Sequence, residues 1–316
     1  MSPAAESSVA LDRAEVLRAA RLLSVRSRRE TAGVLAGAYA SAFRGGGIEF
    51  EELRPYAPGD DLRIFDWNAT ARTGEPFVKR FREERERTLL LLLDVSASMR
   101  FAAGGRAKAA QAARVAAVLA AAASRARDAV GLVAFDSAVR AEIPPARGPA
   151  HVWRVIRTAV ECAGRSAGST GLAIALAAAR TRRLGRRRSV VFLLSDLRDE
   201  TLLAPGTAAA AELTAVAARH ELIAGILHDP REDELPDVGP IRVSDPERPG
   251  RRLVLDTGSA RVRERYRAAA AARRRSLELR LRGAGADPLW LGTDRDPLRT
   301  LVKFFTLRTG ATRLRL

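Results

Sequence analysis

Thr88-Leu89-Leu90-Leu91-Leu92-Leu93-Asp94-Val95-Ser96-Ala97-Ser98-Met99 is the stretch that decides the fold. Leu89 to Leu93 form an unbroken apolar run with the length of a strand buried on both faces, the condition of a central strand in a parallel sheet. The run stops abruptly at a carboxylate, followed by two hydroxyls at alternate positions. In an open α/β sheet such a strand end lies on the edge where ligands bind. Oxygen side chains gathered there suit a hard divalent cation.

The chain after Ser98 supports a parallel α/β sheet, because helical and strand patterns alternate. Arg106–Arg127 reads as a long Ala-rich helix, and Ala129–Phe135 with Val139–Ile143 as a hairpin at the sheet edge. Helices are expected near His151–Glu161 and Gly171–Arg183. Ser189–Asp196 is a second strongly apolar strand that again ends in hydroxyl plus carboxylate. Ala208–His220 reads as a helix and Glu221–Leu227 as a strand. His228–Asp256 is loop-rich with short strands at Ile241–Val243 and Leu253–Leu255. Arg261–Leu281 is a basic helix, Pro288–Leu291 the last strand and Pro297–Leu307 the last helix. Upstream, Met1–Ser8 reads as a loose end, and helical patterns at Leu11–Leu23 and Arg29–Phe43 precede a glycine break at Gly45–Gly47. Ile48–Arg87 follows as short strands and turns. The expected organisation is a small helical and β-containing subdomain over residues 1–87 and a doubly wound, mostly parallel α/β domain over residues 88–316.

Composition narrows the function. The 316 residues are 47% hydrophobic, enough for a full core, and carry a formal net charge of +17. Such a charge points first to nucleic acid or an anionic surface. Yet only Lys79, Lys108 and Lys303 are lysines, and alanine is abundant, a joint bias of GC-rich coding sequence. The arginines are spread through helical segments and seldom joined to aromatics, which favours a solvated basic face over a nucleic-acid groove. Cys162 is the single cysteine, so no intrachain disulfide can form and a reducing compartment fits. His151, His220 and His228 lack metal-ligand spacing. There is no signal-peptide pattern, and Val115–Ala123 is too short to span a membrane. A cytoplasmic protein is expected.

Two further pieces extend the opening motif. Gly168-Ser169-Thr170-Gly171-Leu172 is a tight polar loop before a helix and can present the Thr170 hydroxyl. Leu194-Ser195-Asp196 places Asp196 at the end of the other apolar strand, on the same sheet edge as Asp94. Few formal charges among several hydroxyls would leave a bound Mg²⁺ electrophilic enough to accept a partner's carboxylate. The competing explanation is local capping of the loop by hydroxyl hydrogen bonds.

Asp94-x-Ser96-x-Ser98 with Thr170 and Asp196 resembles the metal-ion-dependent adhesion site of von Willebrand factor A domains. The resemblance implies Ser96, Ser98 and Thr170 as hydroxyl contacts, and Asp94 and Asp196 acting directly or through water, around Mg²⁺ (or Mn²⁺ or Ca²⁺). The block Glu49-Phe50-Glu51-Glu52-Leu53-Arg54-Pro55-Tyr56-Ala57-Pro58-Gly59-Asp60-Asp61-Leu62-Arg63, with Asp66-Trp67-Asn68-Ala69-Thr70-Ala71-Arg72, resembles the signature of a bacterial family, domain of unknown function 58. Its members carry an A-like domain directly after this block. The resemblance runs from about Arg28 to Phe305. It implies a von Willebrand A-like fold and a MoxR-type AAA+ ATPase as partner. Read by themselves, Asp60, Asp61 and Asp66 beside Arg54, Arg63 and Arg72 suggest ion pairs pinning a small subdomain, with Trp67 packed inside it.

The function expected is a non-enzymatic, Mg²⁺-dependent protein-interaction module. The enzyme alternative is a haloacid-dehalogenase-type phosphatase, which ordinarily needs a second aspartate two residues after the first, where this chain has Ser96. No Gly-Lys-Ser/Thr or Gly-x-Gly-x-x-Gly pattern is present, and the Gly-x-Ser-x-Gly match at Gly164–Gly168 follows an expected helix rather than a strand. A third alternative is nucleic-acid binding through Arg180–Arg188 and Arg261–Arg275.

Overall fold

A computed structural model describes residues 29–43, 48–58, 60–61, 65–83, 87–103, 105–165, 168–181, 189–202, 204, 206–248, 250 and 252–313. The expected Leu11–Leu23 helix, the glycine break and most of the Arg180–Arg188 run lie outside these residues. In chain order the elements are α1 (Arg29–Ala42), β1 (Ile48–Pro55), α2 (Trp67–Thr73), β2 (Phe77–Glu83), β3 (Thr88–Asp94), α3 (Lys108–Arg125), β4 (Ala129–Phe135) and β5 (Val139–Ala146). There follow α4 (Pro149–Ala163), α5 (Leu172–Thr181), β6 (Val190–Ser195), α6 (Ala208–Arg219), β7 (Glu221–His228), β8 (Pro240–Ser244), β9 (Arg252–Asp256), α7 (Ala260–Gly283), β10 (Asp287–Gly292) and α8 (Pro297–Arg313).

The main sheet has the order β10-β7-β6-β3-β4-β5, parallel throughout except for β5, which pairs antiparallel with β4 at one edge. The doubly wound, mostly parallel sheet expected of a von Willebrand A-like domain is therefore present. The leucine strand β3 occupies its middle, and both faces are covered. Leu89, Leu91 and Leu93 pack on the side of α1, α3, α4 and α8, while Leu90 and Leu92 face α5, α6 and α7. This alternation explains why the run carries no polar residue: each face of β3 belongs to a separate core layer.

Strand order also locates the functional edge. The chain leaves β3 toward β4 and β5, then crosses back to place β6, β7 and β10 on the other side. The order therefore reverses between β3 and β6, and the loops after these two strands diverge around a crevice. Asp94 and Asp196 follow the carboxyl ends of this pair.

The upstream residues behave in two ways. Helix α1 joins the main core: Tyr39, Phe43 and Phe305 of α8 meet edge to face at 4.8, 5.7 and 5.4 Å. The buried Tyr39 hydroxyl donates to Asp128 Oδ2 at 3.0 Å. Strands β1 and β2 instead form their own antiparallel pair. Arg54 grips Asp60 through two guanidinium nitrogens at 2.8 and 2.5 Å, so this expected ion pair forms and holds the Asp60 carboxyl below its ordinary range. The expected packing of Trp67 does not occur. It opens the short helix α2, rests on Phe65 at 4.5 Å and remains 73% exposed, because a two-stranded ribbon supplies no second layer to cover it. Helix α2 itself was not foreseen; Asp66 caps its start by accepting from Asn68 N and Ala69 N, and Gly74 ends it at φ 80°.

Candidate functional site

The β3 strand end is built from the bottom up by hydrogen bonds that fix one oxygen after another. Asp94 is fully buried. Its Oδ1 accepts from the Ser96 backbone N–H at 2.9 Å, and its Oδ2 accepts from the Ser195 hydroxyl at 2.5 Å. Ser195 in turn accepts from Leu197 N at 3.0 Å, so β6 orients the carboxylate that ends β3. After Asp94 the chain enters a 3₁₀ turn at Ala97–Arg100 that keeps Ser96 and Ser98 on one side, with their hydroxyls 3.1 Å apart. The third hydroxyl arrives from the loop before α5, where Thr170 Oγ1 lies 2.9 Å from Ser96 Oγ.

That loop approaches closely because of its glycines. Ala97 N donates to Gly168 O at 2.8 Å. Gly168 has φ 71°, and a Cβ there would lie 3.1 Å from Asp136 Oδ2; a Cβ on Gly171 would lie 2.5 Å from Asp136 O. Any side chain at Gly171 would force the loop, and Thr170 with it, away from Ser96. Asp136, at the end of β4, holds its own turn by accepting from Ala138 N and Arg140 Nε.

Of the sequence-predicted set, Asp94, Ser96, Ser98 and Thr170 thus form one continuous patch. Asp196 reaches the same edge from β6 but is otherwise engaged. Its Oδ2 accepts from Lys108 Nζ at 2.6 Å, and the same ammonium donates to Glu232 Oε1 at 2.8 Å. Lys108 is only 1% exposed and opens helix α3, where the helix dipole disfavours a cation. Two carboxylates are what hold it there. Arg198 adds a second contact to Glu232 at 3.2 Å. Sequence reasoning did not single out Lys108 as a site residue. The available signal was a lone lysine within an alanine-rich helix of an arginine-rich chain.

The electrostatics of the two aspartates differ accordingly. Burial, and then the neighbouring Asp196 charge, push the Asp94 carboxyl up to about 7 despite its hydrogen bonds from Ser195 and Ser96. Among the described residues no cationic side chain is hydrogen-bonded to Asp94. Among the described residues no group of three or more His, Cys, Asp or Glu is placed to hold a metal. A divalent cation at this edge would therefore rest on Ser96, Ser98 and Thr170 hydroxyls together with Asp94, and with Asp196 if it shares its charge with Lys108. The donor chemistry fits such an ion: hard oxygens, an ionisable buried carboxyl without a counter-ion, and hydroxyls already converged.

A residue wholly unforeseen completes the patch. Glu247, in the loop between β8 and β9, accepts from Thr170 Oγ1 at 2.8 Å and from Thr170 N at 3.2 Å. Behind the site, Leu197 adopts a left-handed φ of 51°, which costs about 1 kcal/mol for a side-chain-bearing residue. Its carbonyl accepts from Arg273 of α7 at 2.6 Å.

Comparison with known proteins agrees with the sequence resemblance. The uncharacterized protein Rv1480 of Mycobacterium tuberculosis is 35% identical over 301 residues, 94% of this chain and 91% of that protein. The uncharacterized protein MAV169 of Mycobacterium avium is 33% identical over 165 residues, covering 52% of this chain and 92% of its own length. Among solved structures, BatB from Bacteroides thetaiotaomicron aligns with 72% of this chain and 99% of its own, at 16% identity and TM-score 0.40. A von Willebrand factor type A protein from Catenulispora acidiphila aligns with 74% of this chain and 43% of its own, at 15% identity and TM-score 0.39. The family described as Protein of unknown function DUF58 matches residues 52–276, which span the upstream block, the hydroxyl patch and most of α7, and the chain belongs to that family.

Proposed function

We propose that this chain is a non-catalytic, Mg²⁺-dependent protein-interaction module, and that its partner is a MoxR-type AAA+ ATPase. The observation that carries the reading is the convergence of Ser96, Ser98 and Thr170 hydroxyls beside the buried Asp94 at the switch point of the sheet. Mn²⁺ or Ca²⁺ suits the same oxygens. When bound, the ion supplies an electrophilic position for a partner's carboxylate. The chain's own residues do the rest: Ser195 and the Ser96 amide fix Asp94, the glycine loop holds Thr170 in reach, and Lys108 neutralises Asp196. The last point is a departure from a site in which both aspartates serve the metal. It puts more weight on Asp94. The ATPase partnership rests on the family resemblance alone.

The phosphatase alternative gains an ingredient, a buried lysine near two aspartates, but loses its use. Lys108 already donates to Asp196 and Glu232, so its charge is committed to the protein. Nor does a general acid stand two residues after Asp94. The nucleic-acid alternative is weakened similarly, since Arg263, Arg267 and Arg274 of α7 pair with Asp237, Glu234 and Asp233.

The test is retention of the cognate ATPase on immobilised full-length protein with Mg²⁺, with chelator, and with Asp94→Ala. Retention should require both the ion and Asp94. Equal retention in all three arms would reject the reading. A thermal melt with and without Mg²⁺ isolates the metal from the partner: wild type should gain several degrees and Asp94→Ala none.

A further inference from the structure

Between β7 and α7 the chain leaves the main sheet and makes a ribbon of its own. Strands β8 and β9 pair antiparallel, from Pro240 opposite Asp256 to Ser244 opposite Arg252, and form a separate two-stranded sheet. Its base is firmly closed. Buried Thr257 donates through both N–H and hydroxyl to Gly239 O, at 2.9 and 2.7 Å, and Arg263 of α7 donates to the Thr257 and Gly258 carbonyls at 2.6 and 3.0 Å. The shaft is not anchored in the same way. Leu253 and Val254, which project to opposite faces, are 58% and 62% exposed. One face is half-buried through Ile241 and Val243, which leaves a two-stranded ribbon marginal by itself, so its far end needs an anchor.

That anchor is a carboxylate laid on the hydroxyl patch. Asp245 Oδ1 accepts from Glu247 N at 3.0 Å, a turn that aims the Glu247 side chain. Glu247 then takes both the hydroxyl and the backbone N–H of Thr170. Each hydroxyl has one proton to give. The Thr170 proton is shared between this charged acceptor and Ser96 Oγ, 2.9 Å away. The hydroxyl chain thus ends on a carboxylate, the group that a protein partner would bring to this edge.

We infer that the Pro240–Asp256 hairpin is a built-in strap, in which Glu247 occupies the carboxylate position of the hydroxyl edge in the free chain until an acidic segment of a partner protein displaces it. The inference rests on the reading of this edge as a carboxylate-accepting site, and it adds that the site is self-occupied. The fixed base and the Glu247 grip at the tip give the strap a hinge and a latch. Its partner is identified by chemistry: a segment presenting Asp or Glu, able to replace the two-point contact on Thr170.

The experiment uses the full-length chain and Glu247→Gln, with Glu264→Gln as an exposed-carboxylate control. Hydrogen exchange over residues 240–256 should be about 10-fold faster in Glu247→Gln, the effect of losing one charge-assisted contact, and unchanged in the control. A fluorescent tetraglutamate peptide, titrated in Mg²⁺, should bind Glu247→Gln about 10-fold more tightly than wild type. Unchanged exchange in Glu247→Gln would overturn the strap. Equal peptide affinity, or no peptide binding by either protein while Mg²⁺ still stabilises wild type and not Asp94→Ala, would overturn the stand-in role of Glu247. If Mg²⁺ fails to distinguish wild type from Asp94→Ala, the metal reading falls instead, and the exchange experiment still decides the strap.

Discussion

The neighbouring strands β3 and β6 end in the same chemical group and treat it in opposite ways. Asp196 has a buried ammonium within 2.6 Å. Asp94, one strand away, is held by a hydroxyl and a backbone amide, both neutral. The first is a closed charge pair; the second is an ionisable group held without its counter-charge. Identical side chains, one residue out of register across this strand pair, are thus held differently by the residues that reach them: Lys108 from α3 in one case, Ser195 from the adjacent strand in the other. The asymmetry teaches that what a buried carboxylate at a sheet edge can do is set by whether a cation reaches it.

Breaking the compensated end should have the largest effect. Lys108→Met leaves Asp196 and Glu232 buried or half-buried without their shared cation, and is expected to cost about 3–5 kcal/mol in denaturant unfolding. A loss under 1 kcal/mol would mean that Asp196 does not depend on Lys108. At the uncompensated end the effect depends on pH. The folded-state value of about 7 lies above the ordinary aspartate value, so the unfolded chain releases this proton first, and metal-free stability falls as pH rises from roughly 4 to 7. The full penalty is at most roughly 4 kcal/mol and is present above pH 7. Asp94→Asn should flatten this slope, and Mg²⁺ should stabilise wild type more at pH 8 than at pH 5; unfolding curves across that range decide both. Next in size is Ser195→Ala, which removes the neutral donor that orients Asp94 and should cost about 1–2 kcal/mol, with a further rise in the pH at which Asp94 ionises. Smallest is Trp67→Ala, far from either strand end: exposed and resting on Phe65, it should change stability by no more than about 0.5 kcal/mol, and a larger loss would reveal a cover over it.

How much of this was legible in the chain depended on whether the controlling physics was local. The β3 and β6 runs could be read because burial on both faces demands uninterrupted apolar residues, and the hairpin of β4 and β5 because Asp136-Ser137 separates one such run from an alternating polar and apolar strand. Asp94, Ser96 and Ser98 stand in one motif; the polarity of a parallel sheet then implied Asp196 as a neighbour, and the family resemblance implied Thr170. Helix α2 was missed because its aromatic surroundings read as strand, although Asp66 and Gly74 bracket it at the spacing of an N-cap and a C-cap. Lys108 and Glu247 lay beyond sequence reasoning for a different reason. Their partners are far along the chain, at Asp196 and Glu232 for Lys108 and at Thr170 for Glu247, and no periodicity reports a contact that only the tertiary fold creates. Trp67 erred in the opposite direction: large aromatic residues are usually covered, and this one sits on a subdomain too thin to cover it.

The bond from Arg273 to the Leu197 carbonyl has a consequence beyond holding one turn. It ties the middle of the basic helix α7 to the residue next to Asp196, at a backbone geometry that Leu197 would not adopt unaided. The exposed arginines of α7 and the hydroxyl edge of the sheet are therefore linked energetically. A macromolecule that tilts the helix must also relax or tighten the β6 turn, and by linkage an occupant of the edge must feel which way the helix lies.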